Sequence, residues 1–257
     1  MADDNRDCVV CGKDEAASVA STFSWNTFLL RTNISSLTCA KFSEQETHFL
    51  HGLDDVIRAV NALGVRRYRY EEIAREEKVG EGATYFVERC VVANQVLAVK
   101  HLKTNSALDD QPSHRRLRAV ILELQILRHR PLQNHPNFPS VFGYGWNMNG
   151  GQVMPYILVQ YAPKGTLRQY INSTSPPIPR RDLQILAGDV ASALSALHTC
   201  GIVHGDVKLD NVLVFHSWDR PAGALAKLTD FGHALVLNDK SSKHGGTMRY
   251  IQRARGS

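Results

Sequence analysis

The chain has 257 residues, a formal net charge of +5 and 43% hydrophobic residues, enough for one or two globular domains and too apolar for a disordered polymer. No apolar run approaches the ~18 residues of a membrane span, and the acidic start Met1-Ala2-Asp3-Asp4-Asn5-Arg6-Asp7 lacks the plan of a secretory signal, so an intracellular setting, cytoplasmic or nuclear, is expected. The five cysteines (Cys8, Cys11, Cys39, Cys90, Cys200) are odd in number and scattered, which excludes a disulfide framework.

Cys8 and Cys11 have metal-ligand spacing, but Cys39, His48 and His51 could complete a zinc site only at irregular intervals, so free thiols are expected. Basic residues gather at Lys240, Lys243, Arg249, Arg253 and Arg255 and around Arg115, Arg116 and Arg118. No nucleic-acid module accompanies them, so they read as solvated surface, and neither nucleic acid nor membrane is an expected partner.

Residues 1–45 are polar without a sustained period, which predicts a poorly ordered lead segment. Over 47–62, Phe49, Leu50, Leu53, Val56, Ile57 and Val60 share one helical face and Gly64 suits a helix end, so 46–69 is expected to be an extra helix or linker. From about Tyr70 the pattern turns to strands. A glycine turn at 80–82 is followed by Tyr85-Phe86-Val87, Cys90-Val91-Val92 and Val96-Leu97-Ala98-Val99. Residues 114–130 predict a helix with Leu117, Val120, Ile121, Leu124 and Leu127 inward, stopped by Pro131. Strands near 139–144 and 153–161 precede a helix at 181–199, with Asp182 in its first turn. Short strands at 212–215 and 225–229 flank turn chemistry at 217–223.

The chemistry gathers in His204-Gly205-Asp206-Val207-Lys208-Leu209-Asp210-Asn211, followed by Asp230-Phe231-Gly232. Two acids, a lysine and an amide stand at intervals that suit phosphoryl transfer: a base for a hydroxyl (Asp206), a cation for the moving charge (Lys208) and hard oxygen ligands for magnesium (Asn211, Asp230). Upstream, Gly80-Glu81-Gly82-Ala83-Thr84-Tyr85 lies between strands, where glycines let backbone amides approach phosphate oxygens. Val87 could cover a purine ring, and Leu213 could lie beneath it. Lys100 ends an apolar strand, and Glu123 sits on the inward face of its helix. A buried lone carboxylate is costly, so Lys100 is the expected partner of Glu123.

This set, from about Tyr70 to Tyr250, resembles a eukaryotic-type protein kinase domain of the serine/threonine type. The resemblance implies an α+β, two-lobe fold: an N-lobe at 70–161 with an antiparallel sheet and one helix, and a partial helical C-lobe at 162–257. It implies ATP and Mg2+ as cofactors and a protein substrate. It implies catalytic roles for Asp206, Lys208, Lys100 and Glu123, and metal binding by Asn211 and Asp230. Nucleotide contacts are implied at Gly80, Glu81, Gly82, Ala83, Tyr85, Val87, Ala98, Lys100 and Leu213, with the hinge backbone near Gln160 and Ala162 facing adenine and Val159 as gatekeeper.

Three departures bear on function. Gly205 replaces the arginine that usually precedes the catalytic aspartate, and a glycine there also occurs in small-molecule phosphotransferases of the aminoglycoside or choline kinase type. Tyr85 replaces the third loop glycine. After Gly246-Thr247-Met248-Arg249-Tyr250 the chain reads Gln252-Arg253-Ala254 and stops at Ser257, so an incomplete C-lobe is expected, covered by a partner or acting as an ATP-binding regulator without turnover.

Overall fold

The computed structural model describes residues 61–82, 85–103, 111–149 and 152–236, all within a compact unit spanning Cys39–Ser257. Among them, no helix is long and apolar enough to cross a membrane. Cys8, Cys11 and Cys39, expected as free thiols, the lead segment, Ala83 and the residues from Gly246 onward lie outside the described residues.

The first half builds one antiparallel sheet. Its strands are β1 (Ala74–Glu81), β2 (Tyr85–Val92), β3 (Gln95–Leu102), β4 (Val141–Asn149) and β5 (Gln152–Gln160), in spatial order β1-β2-β3-β5-β4. The short strands expected within 85–92 form one continuous strand. Glu88 and Arg89, which suggested a break, are half-buried, and β2 pairs residue for residue with β3 from Tyr85↔Leu102 to Val92↔Gln95. The turn between them is Ala93-Asn94, both at positive φ (48° and 64°), the two-residue hairpin geometry that matches strand twist.

Side chains alternate across the sheet. One face carries Ile73, Cys90, Val92, Leu97, Val99, Tyr156 and Leu158. The other carries Tyr85, Ala98, Leu102, Tyr144, Ile157 and Val159 and packs on Leu117, Val120, Ile121 and Leu124 of helix α1 (Gln111–Arg128). The second face is the one that positions the site.

Helix α1 ends two residues before the predicted boundary, and Pro131 does not stop it. His129 turns extended and Pro131 lies in the first turn of a short α2 (Arg130–Gln133), where its missing N–H is no loss. Of the helix expected at 47–62, the structure describes only the last turn. Gly64 follows it at φ +62° with its N–H donating to Asn61 O (3.1 Å). The chain then runs along the outer edge of β4, where the N–H of Tyr68 donates to Tyr144 O (2.9 Å) and the N–H of Tyr144 to Arg66 O (3.0 Å). Gly143 and Gly145 permit this: a Cβ at either would strike Tyr68 or Tyr156. An otherwise open sheet edge is thereby paired.

The second half is helical around a small ribbon. A short helix α3 (Leu167–Ser173), absent from the sequence reading, is capped by Thr166, whose Oγ1 accepts from the Gln169 N–H (3.2 Å) while Gln169 Oε1 accepts from the Thr166 N–H (2.9 Å). Helix α4 (Arg180–Thr199) buries Leu186, Ala193 and Leu197 against the hairpin β7 (Val212–His216) and β8 (Ala224–Leu228). On the same helix Leu183, Val190 and Leu194 are only half-buried and Ala187 is exposed. Buried Asp189 locks α4 to the hairpin, accepting from the Ala226 N–H (2.9 Å) and from Arg220 (2.7 Å). Strands β6 (Ile202–Val203) and β9 (Leu235–Val236) pair beside it.

Candidate active site

Helix α1 presents its apolar stripe to the sheet, and Glu123 falls inside that stripe at 1% exposure. Opposite, β3 puts Ala98 and Lys100 on the α1-facing side. Lys100 is 8% exposed, and its Nζ donates to Glu123 Oε1 at 2.6 Å. A buried carboxylate without a cation would cost several kcal/mol, so the pair answers a cost the sequence already shows.

Tyr85 shares this face of the sheet. Its ring centroid lies 4.3 Å from Lys100 Nζ, a cation–π contact. Its hydroxyl sits against Glu123. Burial, then the charges of Glu123 and Asp230, push the phenol well above its usual range. The hydroxyl and Glu123 Oε2 are both buried, and neither completes a hydrogen bond of good geometry.

The glycine turn approaches from above. Gly82 N–H donates to Tyr85 O (2.8 Å) and closes it. A methyl group at Gly80 would meet nothing nearer than Val87 Cβ at 3.9 Å, and at Gly82 nothing nearer than Tyr85 O at 4.0 Å. Packing among the described residues therefore does not demand glycine at either position. Glu81 points to solvent with its carboxylate between Lys78 and Lys103, which hold its pKa down to about 2. Only its backbone is left to face an anion.

From below, the loop after β6 brings in the acids. His204 is fully buried, and burial lowers its pKa below the usual 6.5. Its Nε2–H donates to Thr229 O (2.9 Å), leaving Nδ1 to accept from the Asp206 N–H (3.3 Å). Neutral imidazole is the form that serves both contacts. Asp206 is buried, and both Lys208 Nζ (2.7 Å) and Asn211 Nδ2 (3.0 Å) donate to its Oδ2. Asn211 Nδ2 also donates to Asp206 O (2.8 Å), so the amide oxygen is the atom left for a cation.

Gly205 sits at φ +77°, and a Cβ there would run into the carbonyl of His233. The missing arginine thus has a local cause: this backbone path excludes any side chain.

The β7–β8 register places Asn211 and Asp230 at one end of the hairpin, because Val212 pairs with Leu228 and the Thr229 N–H donates to Asn211 O (2.9 Å). Asp230 adopts φ +66°, a conformation uncommon outside glycine and asparagine-like residues. The neighbouring Phe231 ring holds it there, fully buried between His204 (centroids 5.1 Å) and Phe138 (5.8 Å). Next to it, a Cβ on Gly232 would lie 3.3 Å from Ala119 Cβ of α1. The charge of Asp230 acts on both the Tyr85 phenol and His204, so the Lys100–Glu123 pair and the Asp206–Asn211 loop share one electrostatic neighbourhood.

The family model for the protein kinase domain matches residues 73–252. The chain belongs to the protein kinase domain family. Among curated relatives, a probable serine/threonine-protein kinase PknB of Lactococcus lactis is 29% identical over 195 residues, covering 74% of this chain and 28% of that protein. The serine/threonine-protein kinase PrkC of Bacillus subtilis is 28% identical over 200 residues, covering 76% and 28% respectively. PknB of Mycobacterium leprae is 32% identical over 130 residues, covering 48% of this chain and 20% of that protein. The chain thus spans under a third of the length of the relatives it matches. The two-lobe kinase fold expected from the sequence is the fold observed.

Within this kinase domain the predicted base-facing residues of the sheet lie side by side. Ala98 pairs in register with Val159 and Lys100 lies opposite Val87. Ala98 and Val159 are buried, while Val87 and Leu213 are half-buried. In the hinge, the Gln160 N–H donates to Ser140 O (2.9 Å) and the Gly165 N–H donates to Ala162 O (3.0 Å). The Gln160 side chain accepts from Lys227 Nζ (2.9 Å), a nearly buried lysine whose pKa burial lowers. Lys227 and Phe138 were not singled out from the sequence. The signal for both was faint: Lys227 stands in an alternating strand at a position that reads as solvent-facing, and Phe138 lies in a loop.

Proposed function

We propose that this domain is a serine/threonine protein kinase that transfers the γ-phosphoryl group of ATP, with Mg2+, to a hydroxyl of a protein substrate. The observation that carries the reading is the buried Lys100–Glu123 pair together with Asp206 held by Lys208 and Asn211, with Asp230 near enough for its charge to act on Tyr85 beside Lys100. The relatives named above are serine/threonine-protein kinases, and Lys208, two residues after the base, fits that acceptor class. The small-molecule phosphotransferase reading rested on Gly205, and the close approach of the His233 carbonyl explains that glycine without reference to the acceptor.

The donor set fits the cofactor. Among the described residues, no cluster of three or more His, Cys, Asp or Glu could hold a metal by itself. Asn211 and Asp230 together offer one amide and one carboxylate, which suits an ion that keeps water and phosphate oxygens in its shell, as magnesium does. MgATP, when bound, supplies the phosphoryl group and the cation that neutralises its charge. Lys100, oriented by Glu123, would hold phosphate oxygens, with the backbone of the 80–82 turn beside them, its Gly82 N–H already donated to Tyr85 O. Val87, Ala98 and Leu213 would line the site of the base, with the hinge backbone at Gln160 and Ala162 facing it. Asp206, fixed by Lys208 and Asn211, takes the proton of the acceptor hydroxyl, and Lys208 stabilises charge on the transferring group. We place the chain in an intracellular compartment. The described Cys90 is a buried free thiol, which fits a reducing setting.

The test is transfer of γ-labelled phosphate to a generic protein acceptor, followed by identification of the phosphorylated residue. Wild type should label serine or threonine. Asp206→Asn should lose roughly 10²- to 10⁴-fold in turnover while keeping its nucleotide affinity. Full activity in Asp206→Asn would refute the assignment of the base.

A further inference from the structure

The position that in the resembling pattern carries the third loop glycine is here filled by a tyrosine, and its side chain points into the site. Tyr85 lies two residues before Val87 on β2, so both face the same side as Lys100, which pairs with Val87. The Tyr85 ring is 6% exposed and its centroid is 4.3 Å from Lys100 Nζ. An ammonium has three donor directions. One goes to Glu123 Oε1 at 2.6 Å, and the aromatic face covers another side of the charge. Protein atoms alone leave Lys100 only 8% exposed. A phosphate oxygen binds an ammonium at about 2.8 Å, well inside the space a ring at this range occupies.

We propose that Tyr85 gates the phosphate subsite: its ring competes with the nucleotide's phosphates for Lys100, and a triphosphate reaches the lysine only when the ring turns aside. This rests on the reading that Lys100 is the phosphate anchor. The hydroxyl lies against the Glu123 carboxylate, which gives the resting position a second hold. The consequence is a lowered apparent affinity. Only the fraction of molecules with the ring displaced is competent, and the measured dissociation constant is the intrinsic one divided by that fraction. Glycine at the same position would remove the competitor and let the loop backbone approach the phosphates.

The experiment is calorimetric titration of the full chain with the β,γ-imido analogue of MgATP, using wild type, Tyr85→Phe and Tyr85→Gly. Tyr85→Gly should bind roughly 3- to 30-fold more tightly than wild type, the range spanned by a cation–π contact from exposed to desolvated settings. Tyr85→Phe keeps the ring but loses the hydroxyl's hold, and should bind with an affinity between those of wild type and Tyr85→Gly. A second readout covers a Tyr85→Gly protein that does not fold. Fluorotyrosine is incorporated into wild type, whose sequence has 8 tyrosines, and the ¹⁹F resonance missing from Tyr85→Phe is assigned to Tyr85. That resonance should shift on saturation with the analogue. Equal or weaker binding by Tyr85→Gly, or a Tyr85 resonance unmoved at saturation, overturns the gate while leaving the nucleotide site standing. Failure of all three proteins to bind the analogue overturns the gate and the nucleotide reading together.

Discussion

At the scale of single residues, the Lys100–Glu123 pair is where stability and function meet. Removing one partner of a buried pair leaves an uncompensated charge, so Lys100→Met should destabilise the domain by about 3–5 kcal/mol. Adding Glu123→Leu to the same protein should recover much of that loss, because an apolar pair of similar volume carries no desolvation cost. Chemical denaturation of the single and double variants checks this, and a double variant no more stable than Lys100→Met would contradict it. This pair was legible in the sequence because Glu123 interrupts an apolar helical stripe, and a carboxylate there demands a cation. Tyr85 was legible only as a missing glycine. That its ring covers Lys100 depends on the β2–β3 register, which fixes the face each residue points to and is not written in local composition. Gly205 was read as an absent arginine. The physical reason, a positive φ against the His233 carbonyl, comes from a residue 28 positions away.

At the scale of elements, the helices and strands that followed one clean period were found, and the misses have separate causes. Helix α3 spans seven residues, too short for a periodic signal to emerge, and its strongest mark is the cap, Thr166 with Gln169 three residues on. Thr166→Ala should therefore cost about 1 kcal/mol of stability, measurable as a lowered denaturation midpoint with an unchanged slope. No change would show that tertiary contacts of α3, such as Arg168 with Asp210 (2.8 Å), hold it without the cap. Strand β2 was read as two short strands because Glu88 and Arg89 interrupt its apolar residues, and the turn that follows, Ala93-Asn94, lacks the glycine that usually marks positive φ. Both have partners: Arg89 pairs with Glu76, and Glu88 lies 2.9 Å from buried His101. Pro131 misled in the opposite sense, since a proline ends one helix and begins another with equal ease.

At the scale of the molecule, three histidines tie the fold to pH. Burial lowers the pKa of His101, His135 and His204 from 6.5, and for each it is the largest cause. Above that value both folded and unfolded chains hold them neutral, and their contribution is fully present. As pH falls below it the unfolded chain takes up protons that the folded domain refuses, so stability is lost on acidification. Melting temperature should drop steadily from about pH 7 to about pH 5, and a flat or rising profile would show that these imidazoles are not held neutral in the fold. The two-lobe architecture itself was legible because chemistry-bearing residues appear in a fixed order along the chain. The pairing of residues 66–68 with the edge of β4 was not, since it depends on two glycines, Gly143 and Gly145, whose only mark is the space they leave. The proposed kinase function depends most on a nucleotide being held through Asp230 and Lys100 together. Calorimetric titration with ATP, with and without Mg2+, on wild type and Asp230→Asn tests it directly. Saturable one-to-one binding that weakens both without Mg2+ and in Asp230→Asn is the predicted result, and binding indifferent to the metal and to Asp230 would contradict it.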